Sequence, residues 1–224
     1  MAGISDSLTV VIRATDSKWG RRAAAAALQL VSHGLPEAVI IRRYEVAGGR
    51  KERYSSGYGV IVPVDTDWVL SLDADCTVYG DVRQLVTGAM ERGSKAAIRH
   101  SPLQSTPRDR WKEGAYKGLY KETGLRYRRL GTTCAFLLQT DVALRMLPDV
   151  VDWRRWVDER TSLSNHYHHA QAAFALALAE AGVSDEDTWW WGPDEISFAG
   201  EPHGIIHHEA ASRYQFPFHE VSDD

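Results

Sequence analysis

Asp73 and Asp75 stand one residue apart at the end of an apolar run, in the stretch "WVLSLDADCTVYGDV" from Trp68 to Val82. Residues i and i+2 of a strand point the same way, so the two carboxylates can converge beyond the strand's last turn. Like charges held that close repel, and in a poorly solvated place the pair is costly without a cation or a proton between them. Two hard oxygen donors suit Mg²⁺ or Mn²⁺, ions that commonly bridge to substrate phosphates. In open α/β sheets the carboxyl ends of the strands are where ligands bind. The pair therefore predicts a divalent cation holding a diphosphate. The plainer reading is that one aspartate caps the next helix and the other is solvated. D-x-D is too short to decide between them alone.

The elements that must position this pair follow from pattern. "LTVVIRA" (8–14) is rich in β-branched residues and runs into "TDS", a turn and cap signal. "WGRRAAAAALQLVSHG" reads as a helix closed by Gly34, and "EAVIIRRYEV" as a second strand. That β-α-β order predicts a parallel sheet. "DWVLSLDAD" is the third strand, "DVRQLVTGAMERG" a helix begun or capped at Asp81, "KAAIRHS" a strand and "GTTCAFLLQTD" another. Two helical stretches follow, "DVALRMLPDVVDWRRWVDER" and "HYHHAQAAFALALAEAG"; the end reads as loops around a short strand at Gly204–His207.

The totals are those of a globular chain. Its 224 residues are 44 % hydrophobic and 25 % charged, with a net charge of −4, which leaves one sizeable α/β domain as the expectation. No stretch approaches the ~20 apolar residues of a membrane span. The N-terminus lacks a basic start followed by an apolar core, so no signal peptide is read there. Cys76 and Cys134 are far apart and show no metal spacing, which predicts a reducing, cytoplasmic setting.

The D-A-D strand resembles that of nucleotide-sugar glycosyltransferases with the GT-A fold. It is most similar to the retaining glycogenin and lipopolysaccharide galactosyltransferase type, in which an apolar strand, D-A-D, a β-branched residue and G-D precede a helix. "VVIRATDS", "GTTCAFLLQTD" and "HGIIHH" resemble further segments of that family, in the same order. The resemblance implies one Rossmann-like GT-A domain over 1–224, with a mostly parallel central sheet flanked by helices. Its nucleotide-binding half would be 1–100 and its acceptor-binding half 101–224. It implies a UDP-sugar donor contacted by Ala14, Thr15, Asp16, Asp73, Ala74 and Asp75, and a Mn²⁺ or Mg²⁺ ion held by Asp73, Asp75 and His207. The family's Asn-containing "NSG" stands here as Thr132 to Cys134, and of its D-Q pair only Gln171 survives, after Ala170. Gln171, Asp194 and Glu195 are the candidates for the sugar and acceptor side.

Three other features carry expectations. From Lys95 to Arg129 ten basic residues face three acidic ones, with Trp111, Tyr116, Tyr120 and Tyr127 interleaved. This suits a solvated helical face, the donor's diphosphate, a phosphorylated glycan or another glycan acceptor, or a polyanionic acceptor such as a modified base in DNA. "WWWGPDE" (189–195) is either a stacking platform or core. His166 and His169 share a helix face but lack a third ligand at zinc spacing, so a polar histidine cluster is the reading. The rival function is a haloacid-dehalogenase-like phosphatase with Asp73 as nucleophile, since "DADCT" also fits its D-x-D-x-T motif. That motif normally opens its domain, and here a β-α-β unit precedes it.

Overall fold

A computed structural model describes residues 7–15, 17–33, 37–44, 57–100, 119, 121–125, 130–160, 166–198 and 203–209, without the side chains of 17, 18, 100 and 166–168. The described strands are β1 (Leu8–Ala14), β2 (Ala38–Arg43), β3 (Trp68–Asp73), β4 (Cys76–Val78), β5 (Ala96–His100), β6 (Gly131–Gln139), β7 (Thr188–Trp191), β8 (Ile196–Ser197) and β9 (Ile206–His208). The helices used below are α1 (Ser17–Ser32), α2 (Arg83–Glu91), α3 (Thr140–Met146), α4 (Val150–Arg160) and α5 (His166–Glu180). Six strands form the main sheet in the order β2-β1-β3-β6-β5-β7, and β4-β9-β8 form a small second sheet. All main strands run the same way except β6, which is antiparallel to both β3 and β5.

Burial on both faces explains why β1, β3 and β6 read as apolar runs rather than alternating ones. Val11, Val69, Phe136 and Leu138 face one layer, where α3, α4 and α5 pack. Val10, Ile12, Leu70, Leu72 and Leu137 face the other, covered by α1 and α2. On α1 the inward residues are Ala23, Ala26 and Leu30, spaced three and four apart as a helix face requires. Pro148 divides the stretch read as one helix after β6: a 3-10 turn at Leu147–Asp149 separates α3 from α4. Asp81 accepts from the Arg83 amide at 2.9 Å, as the helix-start signal implied.

The C-terminal region departs from the sequence reading. Residues 188–191 are a strand of the main sheet, paired in parallel with β5, rather than a loop. Trp191 is buried, and Trp189 lies against Gly88 of α2 under the Arg92 guanidinium, 4.3 Å from the ring centroid. The triple tryptophan is therefore packing, not an open stacking platform. The last described strand falls at 206–208, not 204–207. Gly204 precedes it at φ +90°, where a Cβ would meet the Pro193 carbonyl at 2.5 Å. Only glycine fits that close approach.

Candidate active site

The paired register of β1 and β3 sets Arg13 opposite Asp73. Neighbours across parallel strands point to the same face, so a cation and a carboxylate meet at the strands' carboxyl ends. Arg13 Nη2 lies 2.7 Å from Asp73 Oδ1 and donates to the Thr133 carbonyl of β6 at 2.6 Å. Its guanidinium sits 5.1 Å from the Tyr58 ring centroid and 5.4 Å from that of Phe136. Arg13 is only 6 % exposed. Burial works against its charge, but Asp73 and the Tyr58 hydroxyl raise its pKa further, so it stays charged.

After Asp73 the chain turns through Ala74 and Asp75 into β4. Ala74 is buried and its amide donates to the Arg13 carbonyl at 3.1 Å. β4 pairs antiparallel with β9, placing Cys76 opposite His208 and Thr77 opposite His207. The Glu209 amide donates to the Asp75 carbonyl at 3.0 Å, which extends that pairing to the turn. His208 Nε2 reaches Asp75 Oδ1 at 3.2 Å. Asp73, Asp75 and His208 each offer a ligand atom, all within 4.8 Å of one another. Two carboxylates and an imidazole in that compass are a donor set that fits Mn²⁺ or Mg²⁺.

The histidine beside the aspartates is His208, whereas the resemblance implies His207 there. His207 faces away from the aspartates: its Nδ1 is 2.9 Å from the Ser197 hydroxyl, and its ring meets Tyr79 edge-on. The reason is alternation with the opposite parity from the one expected. Ile206 is fully buried, and His208, two residues on, shares its side of the strand and reaches Asp75. "GIIHH" offers two adjacent isoleucines and two adjacent histidines, so the sequence carries no parity signal. Only the β4–β9 register supplies one.

The electrostatics show a site under load. Burial pushes the Asp73 carboxyl up to about 6 although 40 % of the side chain is accessible; Arg13 opposes the shift and Asp75 adds to it. Burial also opposes the charge of Asp75, but the hydrogen bond and charge of His208 outweigh it and hold that carboxyl below its usual value. His208 is raised to about 10: burial disfavours the cation, and Cys134, Asp75 and Asp73 overcome it. His208 Nδ1 is buried without a hydrogen-bond partner. Behind the turn the two free cysteines come together, Cys76 Sγ donating to the Cys134 carbonyl at 3.6 Å.

The other sequence candidates are placed as follows. Ala14 ends β1, buried, and Thr15 follows it half-buried; Asp16 lies outside the described residues. Gln171 is 1 % exposed on α5. Phe174, one turn on and so on the same face, packs on Tyr58 and Phe136, the rings that flank Arg13. Asp194 and Glu195 build a turn: their carbonyls accept from the Ile205 and Ile206 amides, and Glu195 Oε2 accepts from the Gly192 amide at 2.6 Å. Their visible task is thus to hold β9, not to face the aspartates. Most of the basic segment 95–129 lies outside the described residues. Lys95 pairs with Asp187 at 3.2 Å and Arg99 donates to the Trp191 carbonyl at 2.9 Å, so these two cations are structural. His169 bonds Asp158 of α4, which answers the zinc question for that residue; the side chain of His166 is not described.

Arg13 is the functional residue that the sequence reading missed. Its signal was present: an arginine inside "VVIRA" must be either solvated or paired, and a strand buried on both faces leaves only pairing.

No family model matches the sequence, and no curated protein sequence does. Solved structures do. Mouse xyloside xylosyltransferase 1 superimposes with a TM-score of 0.56 at 12 % identity, over 91 % of this chain and 97 % of that one. A glycosyltransferase involved in the glycosylation of the major capsid of PBCV-1 gives 0.58 at 11 % identity, over 93 % and 98 %. The galactosyltransferase LgtC, in complex with donor and acceptor sugar analogs, gives 0.53 at 9 % identity, over 89 % and 86 %. These likenesses give no support to the phosphatase alternative, and none to DNA as acceptor. The six-stranded sheet with its single reversed strand, flanked by helices, is the GT-A fold of nucleotide-sugar glycosyltransferases.

Proposed function

We propose that the protein is a metal-dependent glycosyltransferase that moves a sugar from a nucleotide diphosphate sugar, a UDP-sugar by its resemblance to the galactosyltransferase type, to an acceptor hydroxyl. The observation that carries this reading is the convergence of Asp73, Asp75 and His208 at the carboxyl end of β3 in a GT-A fold. When bound there, Mn²⁺ or Mg²⁺ would offset the charge that develops on the departing diphosphate. Asp73, Asp75 and His208, the last after giving up its proton, would hold it. Ala14 and Thr15 would line the nucleotide side at the end of β1, with the Ala74 backbone beside them, and the resemblance assigns Asp16 to the nucleotide as well. Gln171 faces the donor sugar from α5. On this reading 1–100 supplies most of the donor side and 101–224 the acceptor side of one domain, with β9 returning His208 to the first half. Two buried free thiols fit a reducing, cytoplasmic setting, and no helix among the described residues is long and apolar enough to cross a membrane.

The test is thermal stability with Mn²⁺ and a panel of nucleoside diphosphates and nucleotide sugars, on wild type and Asp75→Ala. A ligand that binds only the folded state stabilises by about 2.7 kcal/mol at a hundredfold excess over Kd. The expected result is a Mn²⁺-dependent rise with UDP or a UDP-sugar that Asp75→Ala removes. No rise with any nucleotide sinks the proposal.

A further inference from the structure

Once a cation displaces the proton of His208, the two carboxylates and the neutral imidazole carry a charge of −2 and would hold a bare divalent cation without help. This site is different, because a third element intrudes. Arg13 places a fixed positive charge 2.7 Å from Asp73 Oδ1. It cannot swing away: Nη2 is shared with the Thr133 carbonyl at 2.6 Å, and Tyr58 and Phe136 flank the guanidinium. It cannot ligate a metal either, since a charged guanidinium has no lone pair to give. A cation entering here finds one oxygen of Asp73 already taken and a like charge a few ångströms off.

We propose that Arg13 is a positioning residue that keeps the affinity for a bare divalent cation low, so that the cation binds strongly only together with the nucleotide diphosphate. With Arg13 the local charge is −1 even after His208 has given up its proton, too little to draw a dipositive ion out of water. A diphosphate adds the missing negative charge and further oxygen ligands on the open side. The same guanidinium fixes the free oxygen of Asp73 in one direction, so the site is ordered before either ligand arrives and needs no rearrangement. This device rests on the metal-site reading above.

The experiment measures Mn²⁺ binding through loss of the free-ion paramagnetic resonance signal, with and without UDP, GDP or ADP, against protein-free controls. Wild type, Arg13→Lys and Arg13→Gln are compared. Arg13→Gln removes the charge and is expected to bind bare Mn²⁺ at least about tenfold more tightly, a modest share of what a unit charge does at that range in an effective dielectric of ~20. Arg13→Lys keeps the charge while giving up the planar fork, and is expected to stay near wild type. In wild type a matching nucleotide should tighten Mn²⁺ binding by more than tenfold, and by less in Arg13→Gln. Equal bare-ion affinity in all three proteins, or weaker binding in both variants, overturns the proposal. So does a wild type that binds Mn²⁺ equally well with and without nucleotide, a result that stands even if Arg13→Gln does not fold. Failure of every protein to bind Mn²⁺ under any condition instead overturns the metal site itself.

Discussion

Two buried ionic clusters built from the same residue types behave in opposite ways. Between α4 and α5, Asp158 accepts from Arg154 Nε at 3.0 and 3.1 Å through its two oxygens and also bonds His169. Burial opposes its charge, but His169 and Arg154 outweigh burial, and its carboxyl is held below the usual range. At the sheet edge Asp73 also has an arginine, yet its carboxyl is pushed up to about 6. The difference is first the burial that weighs on the Asp73 charge and then the neighbouring carboxylate Asp75. The helical cluster gives one carboxylate both Arg154 and His169, whereas at the edge Arg13 serves Asp73, His208 serves Asp75, and the two carboxylates repel each other. A cluster that satisfies its own charges is a structural clasp. One that holds two repelling carboxylates at a strand's carboxyl end offers their oxygens to a cation, and shifted carboxyl groups mark such places.

The largest effect that would break this comparison comes from neutralising each aspartate in turn. Asp75→Asn should lower Mn²⁺-dependent donor turnover by about 10²–10³-fold, as loss of an electrostatic contact to the transition state does. It should cost the metal-free protein less stability than Asp158→Asn does, because the lost contact to His208 is offset in part by relief of the repulsion between Asp75 and Asp73. Asp158→Asn should do the reverse. It strands Arg154, 2 % exposed, and is expected to cost about 3 kcal/mol in denaturant unfolding, with turnover retained in the folded fraction. Equal stability losses in the two variants would show that both clusters are clasps.

The adjacent histidines sharpen the same contrast. His208→Ala should weaken Mn²⁺ binding by at least about tenfold. His207→Ala should leave Mn²⁺ binding intact and cost about 1 kcal/mol of stability through the lost Ser197 contact. Titration calorimetry in the presence of nucleotide reads the first and denaturant unfolding the second. The reverse pattern would restore His207 as the ligand. Gly204→Ala, expected to cost about 2–3 kcal/mol because its Cβ would strike the Pro193 and Asp194 carbonyls, should weaken Mn²⁺ binding as well, since that turn delivers β9.

Much of this was legible before the structure. Apolar runs and cap signals located β1, α1, β2, β3, α2, β5 and β6 to within a few residues, because burial on both faces leaves a continuous apolar string. The D-A-D placement was legible for the same reason. What escaped depended on pairing between distant segments. The reversed direction of β6 cannot be read from "GTTCAFLLQ", which looks alike from either end. "TWWW" was mistaken for loop because Gly-Pro-Asp follows it, while its partner β5 lies some ninety residues earlier. The choice of His208 and the meeting of Arg13 with Asp73 are register facts, and register is specified by tertiary packing.

The smallest effect concerns acid. Because the folded-state pKa of Asp158 is depressed, its clasp contributes stability that is fully present above the unfolded value of about 3.9. That contribution fades as the pH falls through the lower folded value. The wild type should therefore lose stability across that acid window, and Asp158→Asn should show a shallower slope there, since Asn has no proton to gain. Asp73 gives no such help: its folded value of about 6 lies above its unfolded one, so its linkage runs the other way and favours the folded state at acid pH. Chemical denaturation of the metal-free protein between pH 6 and pH 3, wild type against Asp158→Asn, separates the two. An unchanged slope in the variant would mean that Asp158 is not held charged by Arg154 and His169, and the distinction between clasp and site would lose its electrostatic basis.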